Sequence, residues 1–92
     1  MNNPAVREAV EAGDIEHAIL QERMRSKGWL VDRSETGILD PSNNRYVYPD
    51  AITRMGHPVE IKPRTPTGIT AGQSQLPLYE KLTGKSGRVI YY

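Results

Sequence analysis

Apolar and polar positions divide the chain into two helical stretches separated by strand-like runs. From Ala5 to about Lys27 the residues are good helix formers, interrupted at Gly13 and Asp14, and the second part runs into Gly28, a natural helix-closing residue. This predicts a helix in two parts. Trp29 to Arg33 reads as a short strand, and Glu35 to Asn44, with Gly37, Pro41-Ser42 and Asn43-Asn44, reads as a loop. Tyr46 to Thr53 (YVYPDAIT) and Pro58 to Lys62 (PVEIK), joined by Arg54-Met55-Gly56-His57, predict an antiparallel hairpin. The proline- and threonine-rich stretch from Pro63 to Gly72 is loop material. A second helix fits Ser74 to Leu82, with Ser74 as N-cap, Pro77 tolerable only in the first turn and Gly84 as the stop. Arg88 to Tyr92 (RVIYY) closes the chain as a strand. The order helix, strand, strand, strand, helix, strand predicts an α/β sandwich around a small mixed sheet.

At 92 residues the chain has room for one domain, residues 1–92, with one modest core. The absence of cysteine excludes disulfides and thiolate metal sites, so any metal must be held by oxygen or histidine, and two histidines argue against a zinc site. The apolar runs are short and the N-terminus has no signal-like pattern, so the expectation is a soluble, cytoplasmic chain with no membrane partner. A formal charge of +1 hides an asymmetry. Residues 1–44 hold five Lys/Arg against eight Asp/Glu, and residues 45–92 hold seven against three, which suits a polyanionic partner for the second half.

The candidate chemistry lies in that half. Side chains alternate across a strand, so Glu60 and Lys62 share one face of PVEIK, while Val59 and Ile61 share the other. Asp50 lies about as far before the hairpin turn as Glu60 lies after it, and pairing would bring the two carboxylates together. Two such groups repel unless a divalent cation sits between them, which calls for Mg²⁺ or Mn²⁺. Phosphodiester hydrolysis needs this set: hard oxygen ligands, and a nearby cation (Lys62) to orient water and steady developing negative charge. Glu-Ile-Lys alone is a weak motif, and its context gives it weight.

Pro49-Asp50 followed by Glu60-Ile61-Lys62 resembles the signature of the PD-(D/E)xK nuclease superfamily, over roughly Asp14 to Tyr92. The resemblance implies the restriction-endonuclease-like αβββαβ core and an Mg²⁺-dependent endonuclease acting on DNA, with RNA not excluded. It implies a metal held by Asp50, Glu60 and the Ile61 backbone carbonyl, and products with 5′-phosphate and 3′-hydroxyl ends. Gln75-Leu76-Pro77-Leu78-Tyr79 is similar to the Gln-x-x-x-Tyr helix of RecB-like members, which assigns Gln75 to the attacking water or phosphate and Tyr79 to nucleic-acid contact. Members often carry a glutamate on the first helix. On a wheel from Ile15, Glu16 falls between Ile19 and Leu20 and is the metal-ligand choice, with Glu22 in reserve. His17 falls on the polar face and His57 in the turn, and neither is given a catalytic role. Arg54, Arg64, Lys81 and Lys85 are the candidate phosphate contacts.

The wording EIKPRTPTG and AGQSQLPLY looks most like the C-terminal nuclease domains of bacterial polymorphic toxins. That implies an effector delivered into a target cell as part of a larger secreted protein, a natural chain extending upstream of Met1, and a cognate immunity protein. So small a nuclease is also a candidate homodimer. The alternatives are a phage or repair nuclease acting on junctions, flaps or ends, and a non-catalytic nucleic-acid-binding module with the same fold.

Overall fold

In the computed structural model, which describes residues 4–92 (side chains from residue 13 on), the N-terminal segment is one helix, α1 (Pro4–Ser26). The two-part helix is therefore corrected. A glycine inside a helix costs about 1 kcal/mol relative to alanine but need not break a long one. The stop is where the sequence places it. Gly28 has φ 81°, Trp29 N donates to Met24 O at 3.1 Å and Gly28 N to Arg25 O at 3.0 Å. These paired bonds are a Schellman closure, which satisfies carbonyls the helix end would otherwise orphan.

The strand expected from Trp29 to Arg33 is reduced to one bridge, Leu30 with Ile52, because Arg33 already begins a four-residue helix, α2 (Arg33–Thr36). The expected loop from Glu35 to Asn44 contains a strand, β1 (Ile38–Asp40), paired antiparallel with β2 (Arg45–Val47) as a separate two-stranded sheet. Its turn is locked by side chains. Asp40 Oδ1 accepts from Ser42 N and Oγ at 3.1 and 2.7 Å, Asn43 Oδ1 accepts from Arg45 N at 3.2 Å, and Asn44 takes φ 53°. The turn residues identify the bend, and the strands on either side are too short to show alternation.

The stretch read as one strand from Tyr46 to Thr53 divides between the two sheets. After β2 the chain passes through buried Pro49, which has no N–H to donate to a ladder, and resumes as β3 (Ala51–Ile52). The hairpin with β4 (Pro58–Lys62) forms as expected, with Ala51 opposite Val59 and Ile52 opposite Pro58. β4 then pairs in parallel with β5 (Arg88–Tyr91), so the main sheet runs β3-β4-β5 and is mixed.

The crossover helix α3 (Pro66–Thr83) starts far earlier than the expected Ser74. Thr65 is its N-cap, accepting from Gly68 N at 3.0 Å, and Pro66 occupies the first turn, where a missing N–H costs nothing. Pro77 consequently lies in mid-helix. Glycines permit the close approach to the sheet: a Cβ on Gly68 would lie 2.1 Å from the Pro63 carbonyl oxygen, and one on Gly72 3.0 Å from Val89. Gly84, at φ 68°, ends the helix as expected.

Met24, Val31, Ala51, Val59 and Ile61 form the core on one sheet face, with Leu20, Trp29, Ile90 and Tyr92 packed against them. α1 therefore covers the Val59/Ile61 face. α3 covers the Glu60/Lys62 face. The molecule is a small α/β domain with a three-stranded mixed sheet and an additional antiparallel pair. Among the described residues no helix is long and apolar enough to cross a membrane.

Candidate functional site

β3 is only two residues long, so beyond Val59 the β3-side edge of β4 has no strand to pair with. Asp50 fills that place. Its Oδ2 accepts from Ile61 N at 2.8 Å, and in return Glu60 Oε1 accepts from Asp50 N at 3.1 Å. The acids are thus brought together as the hairpin predicts, Glu60 accepting from the Asp50 backbone and Asp50 from the backbone of Ile61, the residue after Glu60. The Lys62 carbonyl accepts from Tyr92 N on the β5 side at 3.1 Å. Strand alternation then turns the Ile61 carbonyl, like its N–H, toward the Asp50 edge.

Lys62 Nζ lies 3.4 Å from Glu60 Oε2, with Lys62 about one fifth exposed and Glu60 almost wholly buried. Burial, reinforced by the negative charge of Asp50 and opposed by Lys62, pushes the Glu60 carboxyl up to about 7. Tyr79, one helix away on α3, is also buried, and its hydroxyl is pushed up to about 12 by burial first and then by the charges of Glu60 and Asp50. The Tyr79 ring, expected to contact nucleic acid, is therefore held inside the domain. Gln75 lies one turn earlier, half-buried, with no hydrogen bond to Asp50, Glu60 or Lys62 among the described residues.

The first helix does reach the site, through other residues than the sequence suggests. Glu16 is exposed, as are Ile15 (60%) and Ile19 (43%), so of the apolar residues used to orient the wheel only Leu20 packs inward. Glu22 is spent on Arg25. The inward stripe is Gly13, His17, Leu20, Gln21 and Met24, about 180° from Ile15 at 100° per residue. His17 Nε2 lies 3.1 Å from Asp50 Oδ1, and Gln21 Nε2 donates to Asp50 O at 3.2 Å. The His17 ring also stands edge-on to Tyr92, 6.5 Å between centroids. Two polar residues turn inward because Asp50 offers a carboxylate and a carbonyl there. The available sequence signal was their i, i+4 spacing with Met24 one turn on.

The proposed phosphate contacts scatter. Arg64 lies two residues after Lys62, donates its N–H to the Tyr92 carbonyl and sets its guanidinium 5.9 Å from the Tyr91 ring, at the site's end of β4. Arg54 lies in the β3–β4 turn against Gly28, and the Lys85 side chain reaches Gly56 of the same turn. Both therefore sit at the opposite end of the strand, about 13 Å away at 3.3 Å per residue. Lys81 is exposed in the last turn of α3. An open cleft of about 470 Å³ does adjoin Asp50, walled by Gln21, Arg25, Asp32, Arg33 and Tyr48.

Among the described residues no three His, Cys, Asp or Glu side chains are grouped to hold a metal ion. The donor set is two carboxylates and a backbone carbonyl edge. That still fits Mg²⁺, which keeps several waters and is commonly bound through one or two carboxylates. Burial accounts for most of the rise at Glu60, and a cation between the two acids would offset the smaller part that comes from the Asp50 charge. No protein-family model, curated protein or solved structure matches the chain.

Proposed function

We propose that the chain is a divalent-metal-dependent nuclease of the restriction-endonuclease-like kind, hydrolysing DNA phosphodiester bonds at Asp50, Glu60 and Lys62. The observation that carries this reading is the interlock of the two carboxylates at the unpaired edge of β4 with the Lys62 ammonium 3.4 Å from Glu60. Interlocked acids beside a cation are costly for a sheet edge to keep unless the site uses them.

Asp50 and Glu60 would hold the Mg²⁺ or Mn²⁺, with the Ile61 carbonyl on the same edge. When bound, the ion supplies Lewis-acid charge at the phosphate. Lys62 orients the attacking water and steadies the negative charge that grows on the phosphate oxygens. His17 fixes the rotamer of Asp50 by its contact with Oδ1, and Gln21 ties down the Asp50 backbone. Gln75, one turn before Tyr79 on α3, would help hold the attacking water or the phosphate. Effector delivery as part of a polymorphic toxin, and an immunity protein covering the site, rest on the wording of the sequence.

The deciding experiment is cleavage of plasmid, single-stranded DNA and RNA with Mg²⁺, Mn²⁺ or EDTA. Metal-dependent nicking that disappears in Asp50→Ala supports the reading. Cutting by Asp50→Ala, or no cutting by the wild type with any substrate and metal, rejects it.

A further inference from the structure

The cleft beside Asp50 has a composition that the hydrolytic residues do not explain. It is lined by Asp50 and by Arg33 lying over Tyr48, with the guanidinium carbon 4.1 Å from the ring centroid. Tyr48 lines the cleft and is 38% exposed although its neighbour Pro49 is buried. Arg25 completes the wall. It is held by Asp32 at 2.9 Å and by Glu22, and Gln21, four residues before it on α1, donates to the Asp50 carbonyl.

Charge separates this cleft from a phosphate trap. Arg25 and Arg33 are balanced by Asp32 and Asp50, so the walls carry no formal net charge. What the cleft offers beside Asp50 is a planar, stackable surface. Aromatic rings and arginine planes take unpaired bases in this way, whereas bases inside a duplex present only their edges. A volume of about 470 Å³ lies within the range that encloses a small organic ligand and is far too small for a duplex.

Resting on the nuclease reading for the identity of the strand, we propose that this cleft receives one unpaired nucleotide next to the scissile phosphate. Its base lies against the Tyr48–Arg33 stack, and the enzyme is thereby directed to single-stranded DNA.

The test is fluorescence anisotropy of the full chain with a short single-stranded DNA and with the same sequence as a blunt duplex, in EDTA, alongside Mg²⁺-dependent cleavage of both. The expected result is preference for the single strand, with Tyr48→Ala and Arg33→Ala each weakening it by roughly 5- to 100-fold and Tyr48→Trp retaining it. Equal binding to duplex and single strand, or binding unchanged in both alanine variants, overturns the proposal. Because binding is read without metal, the two failures separate. A wild type that prefers single strands but cuts nothing strikes the nuclease reading and leaves the cleft standing. A wild type that cuts but is indifferent to Tyr48 and Arg33 strikes the cleft alone.

Discussion

Asp50 and Glu60 hold each other's strands: the Glu60 carboxylate accepts from the Asp50 backbone N–H at 3.1 Å, and the Asp50 carboxylate accepts from Ile61 N at 2.8 Å. Each acid therefore serves the sheet edge as well as the proposed chemistry. Asp50→Ala should abolish cleavage and also lower stability by about 1–2 kcal/mol, because Ile61 N loses its partner. Asp50→Asn keeps an acceptor oxygen and should abolish cleavage with a smaller stability loss. Paired urea melts and cleavage assays check both.

Glu60 carries a pH signature. Its carboxyl is pushed up from 4.5 to about 7 by burial and by Asp50, so the folded state prefers the protonated form. That preference contributes fully below pH 4.5 and is lost as pH rises through 7, by up to about 3 kcal/mol. Glu60→Gln should remove this contribution to the pH dependence. The variant should melt higher than the wild type at pH 8 and nearly level with it at pH 4.5. Thermal melts across that window decide it, and millimolar Mg²⁺ should raise the wild type at pH 8 and leave Glu60→Gln unmoved.

Lys62 offsets the buried Glu60 charge at 3.4 Å and is given the charge-stabilising role. Lys62→Met should reduce turnover by about 10²- to 10³-fold, the usual cost of losing one electrostatic stabiliser. Mg²⁺ binding measured by calorimetry should persist, which distinguishes this loss from that caused by Asp50→Ala.

His17 and Glu16 are neighbours with opposite expectations. His17→Ala frees the Asp50 carboxylate and should lower turnover more than it changes KM, with partial rescue by His17→Gln, which can still donate. Glu16→Ala alters an exposed position and should stay within about 0.5 kcal/mol of wild-type stability with cleavage intact. Equal effects of the two substitutions would return the helix contribution to Glu16.

Gly68→Ala tests the seating of α3. A Cβ there meets the Pro63 carbonyl oxygen at 2.1 Å, and backbone cannot rotate aside as a side chain can. The substitution should cost about 1–3 kcal/mol or more, whereas alanine at Gly13, with its nearest contact at 3.6 Å, should be neutral or stabilising. Chemical denaturation of the two variants gives the comparison.

Some of this was legible along the chain because it depends on neighbours in sequence. The Thr53–His57 turn pins the hairpin register, strand alternation then puts Glu60 beside Lys62 and the turn brings Asp50 opposite, and Gly28 and Gly84 close the helices where their conformational freedom is used. The start of α3 was also legible, in Thr65-Pro66, but the surrounding prolines and glycines read as loop.

Other features had no local signature. The three-residue strands β1 and β2 exist because they pair with each other, and the stretch from Tyr46 to Thr53 divides because its two ends join different sheets. The face that α1 turns inward carries Leu20 and Met24 but not Ile15 and Ile19, which stay in solvent, while His17 and Gln21 meet Asp50 on that face. Sequence alone determined which residue types share a strand face and where helices stop, because backbone geometry sets those over a few residues. Tertiary structure alone decided which helix residues meet Asp50 and that a cleft opens beside it, because those depend on hydrogen-bond partners as many as 33 positions apart.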